Sequence, residues 1–433
     1  MSELEAIRTE IPGPRSRELT AVLARTETRG VTYVAHDFPI VWDSAQGATV
    51  TDVDGNRYLD LTSAFGVAVT GHANPAVARA IAEQAARLPH AMGDVHPSDV
   101  KIALLAKLAS LTPLDEPRTF LCSSGAESIE FALKTAFLAT DKPDLLSFEG
   151  AYHGLSYGAL EVGGIEKFRA PWRRQLLDRT VFTRFPDRRI PSTAARALTE
   201  IEAALRRRSS IGAVVVEPIQ GRAGVVIPPD GFFHALQTLC RARDVLLIVD
   251  EIYTGFGRTG TLFACERESV RPDMLCVGKA LGGGFPLSAT ILTRRVADAW
   301  TPSRGEALHT STYLGNPMGC AAALANLGEI ERLDLPARAR AGEAKIAARL
   351  EPLRERPDVV DVRGRGMLWA IEFRDGATAA ATVVRALQNG VIALQSGVRG
   401  ESLAVAPPLV IDDAQLERAL ALLCDAVAEK VMT

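Results

Sequence analysis

LLIVDEIYTGFGRTG (246–260) runs from four apolar residues through two acids into a glycine-rich turn. The apolar part is too short for a helix, unbroken and rich in branched side chains. It therefore reads as a strand buried on both faces, as in a largely parallel sheet covered by helices. Asp250 and Glu251 follow it directly, and a charge so near a core is costly unless paired.

Working outward, TFLC (119–122), LLSF (145–148), AVVVE (213–217) and MLCV (274–277) have the same character. Between two of them, Pro229-Asp230-Gly231 signals a turn. The following FFHALQTLCRARDV sets Phe233, Leu236, Leu239 and Cys240 on one helical face, which predicts half of a βαβ unit. The class is α/β. From about residue 320 the texture becomes rich in Ala, Arg, Leu and Glu, predicting a smaller α+β domain over 319–433. A large domain is expected over 61–318, with the segment 1–60, which ends in the turn DVDGNRYLD, packing with the small domain.

The 433 residues suit two or three domains at about 150 residues each. With 47% hydrophobic and 23% charged residues, disorder, collagen-like repeats and coiled coil are excluded. The charge of −3, from 49 basic and 52 acidic residues, provides no positive field for nucleic acid or an anionic membrane, so small molecules are the expected partners. No stretch approaches the roughly 18 apolar residues of a membrane span, and a cytoplasmic location is expected. The six cysteines lack a C-x-x-C or a nearby histidine pair, so neither a disulfide scaffold nor a metal site is expected.

In doubly wound sheets, ligands gather at the carboxyl ends of the strands. After TFLC, Ser124 and Glu127 have capping-box spacing, a helix starts at Gly125 or Ala126, and the free N–H groups there suit a phosphate. Plain capping explains that segment alone equally well. After LLSF, Tyr152 can stack on a flat ring, although aromatics at strand ends are more often packing. His153, like His309, reads as a structural hydrogen-bonder. Glu217 ends a run too apolar for an unpartnered carboxylate, and a structural ion pair is as good a reading as a functional one. Asp250 could hold a proton on a heteroaromatic nitrogen; a cap or an arginine partner accounts for it equally well. Lys279, one of only eight lysines, follows MLCVG and precedes a glycine loop. Burial lowers an ammonium pKa, and a neutral amine condenses with an aldehyde to form a Schiff base.

Taken together, SSGAES (123–128), AYHG (151–154), VVVEPIQG (214–221), IVDEIYTGFGRTG (248–260), CVGKALGGGFPLSA (276–289) and HTSTYLGNP (309–317) resemble the class III aminotransferases, pyridoxal-phosphate (PLP) enzymes of fold type I. The likeness extends in order from DVDGNRYLDLTS (52–63) to APPLVI (406–411). It implies Lys279 as the Schiff-base lysine and Asp250 as partner of the pyridine nitrogen. Tyr152 and Ile252 would lie on the two ring faces, and Ser124, Gly125 and Ala126 would hold the phosphate. It further implies that Thr312 reaches the phosphate of a neighbouring subunit, hence a homodimer with active sites at its interface. The activity implied is transfer of an amino group from an amine or amino acid to a carbonyl acceptor, with Lys279 moving a proton from the substrate carbon to the cofactor.

Three positions depart from the family pattern. Tyr253 stands where many members have glutamine near the cofactor's phenolic oxygen. Ala404 replaces an arginine that binds the α-carboxylate. Arg222 stands where glutamate is frequent. Glu217, Tyr253 and Arg399 are therefore the expected substrate contacts, with Arg399 or Arg222 as cations for Glu217. The substrate either lacks an α-carboxylate or is held by a relocated arginine such as Arg399. Amino-acid racemisation and decarboxylation are the alternatives within the family. A non-catalytic PLP-binding protein is opposed by intact Lys279 and Asp250. A dinucleotide-binding dehydrogenase is opposed by RGRGM (363–367), which does not open a helix after a strand.

Overall fold

The computed structural model describes residues 4–429. Among these, the residues up to Asn74 and from Arg338 onward form one compact unit, and Pro75–Ala337 form the other.

The second unit is built on a seven-stranded sheet whose strands we number β1 (Arg118–Cys122), β2 (Asp144–Phe148), β3 (Thr180–Thr183), β4 (Ile211–Val216), β5 (Leu246–Asp250), β6 (Met274–Val277) and β7 (Ser288–Leu292). Their spatial order is β1-β7-β6-β5-β4-β2-β3. Neighbours from β6 through β3 are parallel, and β7 alone runs against both β6 and β1. The apolar residues of all five runs read from the sequence fall within strands, with Glu217 one residue past the end of β4. Every residue of β4, β5 and β6 is buried, as expected of strands with both faces covered.

Helix α1 (Gly125–Thr140) places Ile129, Phe131, Ala132 and Ala136 in a core shared with Ala213, Val215, Ile248, Met274 and Cys276. Phe131 stacks on Phe120 with ring centres 3.9 Å apart and on Trp300 at 5.1 Å. Helix α2 (Phe232–Ala242) buries Phe233, Leu236 and Cys240 as the spacing predicts, and also Phe232 and Gln237. The turn before it places Gly231 at φ +87°, a conformation with no steric cost for glycine.

The first unit holds two smaller sheets. One joins Trp42–Gln46, Thr49–Asp52 and Arg57–Asp60 to Val391–Ile392. The predicted DVDGNRYLD turn links two of these strands, and the Asp52 carboxylate organises it, accepting from Asp54 N, Asn56 N, Asn56 Nδ2 and the Tyr58 hydroxyl. The other sheet is antiparallel and contains Val359–Arg365, Leu368–Phe373, Leu394–Ser396 and Ser402–Val405. RGRGM thus ends one strand and enters a hairpin. No helix among the described residues is long and apolar enough to cross a membrane.

Glu251, just beyond β5, is fully buried. Its carboxyl accepts from Cys265 N at 2.7 Å and meets the Thr254 hydroxyl, and burial pushes its pKa up to about 7. A carboxyl that holds its proton more tightly folded than unfolded stabilises the fold fully below the unfolded pKa, and that contribution is lost as pH rises through about 7. Glu251→Gln keeps the neutral shape. Thermal unfolding between pH 5 and 8.5 is expected to show the wild type losing more stability than the variant, by at most roughly 3 kcal/mol. Parallel curves for the two proteins would refute this.

Candidate active site

Six strands share one direction and end at one edge of the large sheet, and residues just past the ends of β1, β2, β4, β5 and β6 make the site. Helix α1 begins at Gly125 with extended Ser124 as its cap. Ser124 Oγ accepts from Glu127 N at 3.3 Å, while the Glu127 carboxylate returns to Ser123 N at 2.8 Å, one residue earlier than a reciprocal capping box would place it. Ser288, at the start of antiparallel β7, donates its hydroxyl to Ser124 O. A Cβ on Gly125 would lie 2.9 Å from Ile252 Cδ1, so glycine is what lets Ile252 lie against the helix start. Gly154, at φ +118°, brings the loop after β2 onto the same place: a Cβ there would sit 2.7 Å from that of Ala126.

Asp250 ends β5, buried to 4% exposure. One oxygen accepts from Ile252 N at 2.9 Å, and the other is 2.7 Å from His153 Nδ1. An ionised carboxylate can only accept, so His153 carries its proton on Nδ1. His153 is buried, and Nε2 finds no partner among the described residues. Burial alone would lower its pKa, but the hydrogen bond and charge of Asp250, with the charge of Glu217, raise it above the ordinary value. The sequence reading left His153 out of the chemistry. Its position between Tyr152 and Gly154 at a strand end was the available signal.

Glu217 is buried, and its oxygens accept from Tyr152 N at 2.9 Å and Gly221 N at 3.3 Å. Burial pushes its pKa up to about 7 despite these bonds and His153. Tyr152 is half-buried and meets Phe168 edge to face at 5.5 Å.

Lys279 follows β6 with φ +39°, a left-handed conformation uncommon for a residue bearing a side chain and the kind of local strain that gathers at functional sites. The turn Lys279–Gly282 is held by Asn326, whose Nδ2 donates to Ala280 O at 2.6 Å. Lys279 Nζ lies 4.7 Å from the centre of the Tyr253 ring. Gly221 packs directly on that ring, since a Cβ there would come within 2.2 Å of Tyr253 Cδ1. Lys279 keeps some accessible surface although its amine is deep in the protein, as expected of a group lining a cleft. Burial lowers its pKa, and the charges of Asp250 and Glu217 oppose that shift.

Thr312 is exposed on a loop that the chain pins from several sides. Lys101 Nζ donates to Gly93 O, Thr310 Oγ1 to Asp94 Oδ2 at 2.7 Å, and Asn316 Nδ2 to Pro89 O at 3.1 Å. Gly93 approaches so closely that a Cβ would lie 1.9 Å from Leu314 O. In the other unit, Ala404 is buried in Ser402–Val405, opposite Ala370 and Leu394. Arg399 is exposed on the preceding turn, its N–H donating to the Glu401 carboxylate.

Ser124, Gly125, Ala126, Tyr152, Glu217, Asp250, Ile252, Tyr253 and Lys279 therefore come from strand ends of one sheet. The set suits a flat ligand with an anionic end for the α1 amides, a protonated ring nitrogen for Asp250 and an aldehyde for Lys279. Among the described residues, no cluster of His, Cys, Asp and Glu could hold a metal ion.

The class III aminotransferase family model matches residues 32–427. The acetylornithine aminotransferase of Methanopyrus kandleri is 39% identical over 90% of this chain and 95% of its own. The 4-aminobutyrate aminotransferase of Mycobacterium tuberculosis is 36% identical over 97% of each. Among solved structures, an (S)-enantioselective omega-transaminase from Thermomicrobium roseum superposes with TM-score 0.89 at 30% identity, covering 95% of this chain and 98% of that one. An amine transaminase from an uncultivated Pseudomonas species, solved in its PLP-bound form, gives 0.86 at 29% identity, covering 93% and 98%. With the motifs and the sheet-edge geometry in agreement, the chain belongs to the class III aminotransferases and is a PLP-dependent aminotransferase of fold type I.

Proposed function

We propose that Lys279 and Asp250 are the catalytic residues of this aminotransferase, and that its donor carries both a primary amine and a carboxylate. The observation that supports the first assignment is the buried Lys279 amine, held below its ordinary pKa on the Tyr253 ring. The second draws on the names of the two sequence relatives, acetylornithine and 4-aminobutyrate aminotransferases, since both named molecules bear those two groups. A carbonyl compound is the acceptor. A cytoplasmic location belongs to the same proposal.

Bound at this edge, PLP supplies an aldehyde for the amine and a pyridinium ring that draws off the electron pair left at the substrate carbon. The chain's own residues do the rest. The depressed pKa of Lys279 increases the fraction of neutral amine available for condensation. The same amine would serve as the base that takes the proton from the substrate carbon and as the acid that gives it back. Asp250 would face the ring nitrogen and favour its protonated form, and His153 Nδ1–H holds Asp250 in that orientation. Tyr152 and Ile252 would bound the ring's two faces. The N–H groups of Gly125 and Ala126 would hold the phosphate, and Ser124, whose oxygen already accepts the cap bond, would donate its hydroxyl there.

Thr312 is assigned to the phosphate of a second subunit in a homodimer. Support comes from its exposed, firmly pinned loop and from large apolar residues exposed on that loop and on the segment bonded to it: Tyr313 at 63%, and Met92 and Val95 at 56%.

Borohydride reduction of the holoprotein should fix the cofactor on the peptide containing Lys279, detected by mass spectrometry, and Lys279→Ala should abolish both the adduct and amino transfer. A cofactor fixed elsewhere would end the assignment. Asp250→Asn is expected to keep the cofactor but lower kcat by on the order of 10²–10⁴-fold in single-turnover kinetics. Thr312→Val should release PLP about tenfold faster on dialysis, with light scattering reporting a dimer before and after. A monomeric active wild type would refute the interface.

A further inference from the structure

The wall around Lys279 contains a cation that the chemistry above does not use. Gly221 packs on the Tyr253 ring, whose face carries Lys279 Nζ, and its N–H donates to Glu217. The next residue, Arg222, is half-buried. Its guanidinium carbon lies 5.7 Å from the centre of the Phe168 ring, and Phe168 meets Tyr152 edge to face at 5.5 Å. Tyr152 N donates to the other oxygen of Glu217. Arg222, Phe168 and Tyr152 are thus linked ring to cation and ring to ring, and the backbone of Gly221 and Tyr152 ties them to Tyr253 and Glu217 beside the reacting amine. Burial raises the Tyr152 phenol pKa, and the Arg222 charge pulls it back down, so the guanidinium lies within electrostatic reach of that hydroxyl.

Arg169, also close in sequence to Phe168, lies over a different ring. It donates to Gly163 O at 3.1 Å and lies over the Phe182 ring at 4.5 Å. Lys279 is the reacting group. A guanidinium recognises a carboxylate through two parallel N–H donors, a planar two-point contact that a lysine cannot reproduce.

We propose that Arg222 binds the carboxylate of the substrate, taking the role that the arginine absent at position 404 would otherwise hold. The inference rests on the reading that the substrate carries a carboxylate. It places the specificity determinant in the loop after β4, on the unit that holds Lys279. Carboxylate-bearing donors and acceptors are then selected over uncharged amines and aldehydes of the same length.

The test uses PLP-loaded wild type, Arg222→Met and Arg222→Lys, with cofactor absorbance confirming that each variant is folded and loaded. Calorimetric titration with glutarate and butyrate, carboxylates that have no amine or carbonyl to react, is expected to give about 10- to 100-fold weaker binding for Arg222→Met, with partial recovery in Arg222→Lys. In parallel, KM for succinate semialdehyde should rise by a similar factor with kcat nearly unchanged, while turnover of butanal stays the same. Unchanged carboxylate affinity in Arg222→Met, equal losses for both aldehydes, or no carboxylate binding by the wild type would each overturn the proposal. Carboxylate binding that depends on Arg222 without turnover of either aldehyde would uphold it while refuting these aldehydes as acceptors, so the two readings fail separately.

Discussion

A single buried hydrogen bond, between His153 Nδ1 and Asp250 at 2.7 Å, underlies the rest of the site. A carboxylate at the end of a strand buried on both faces loses its hydration, and such burial is tolerated only with compensating partners. His153 and Ile252 N are those partners, and both come from segments just past strand ends. Without them the Asp250 carboxylate would stand buried with its oxygens unsatisfied and free to turn away from the cofactor edge. The sheet order makes the arrangement possible. β2, β4, β5 and β6 are successive parallel neighbours, so their following residues meet with no long connection.

Close backbone approach supplies the precision. Gly125, Gly154 and Gly221 each stand where a Cβ would collide with a side chain of the site: Ile252, Ala126 and Tyr253 respectively. Only the Gly154 position also requires a left-handed backbone. The other two are glycines because of what packs on them, which fixes the heights of Ile252 and Tyr253 relative to the sheet edge. The strained φ of Lys279 belongs with these constraints, because the Asn326 bond to Ala280 O holds the turn that carries it.

Much of this was legible in the sequence because buried parallel strands are continuous apolar runs and their first polar residues mark the functional edge. β3 and β7 were not read. TVFT is a short edge strand rich in threonine, and SATIL emerges from a glycine loop and runs against its neighbours. The helix start at Gly125 was readable from capping chemistry, yet the return bond from Glu127 fell on Ser123, a shift of one residue that spacing cannot resolve. The partner of His153 lies 97 residues away. Only the folded sheet brings the two together, so the sequence left a structural role as the better reading. Arg222 was visible as a departure, but its neighbour Phe168 belongs to a different connection of the sheet, and no local pattern joins them.

Glu217 and Lys279 cannot be treated as independent titrating groups. The Glu217 charge helps hold the proton on Lys279, yet burial pushes Glu217 itself up to about 7. Below that pH Glu217 is largely neutral, and of the two carboxylates only Asp250 opposes loss of the lysine proton. Above it the second negative charge forms and binds that proton more firmly. A rise in pH therefore acts twice on the amine: by mass action it favours deprotonation, and by ionising Glu217 it resists it. The neutral amine grows less steeply with pH than for an isolated lysine, and the apparent values belong to the pair. A cationic group arriving with the substrate would change this balance by keeping Glu217 ionised at lower pH. An anionic group would raise the Glu217 pKa further, unless a guanidinium such as that of Arg222 screened it.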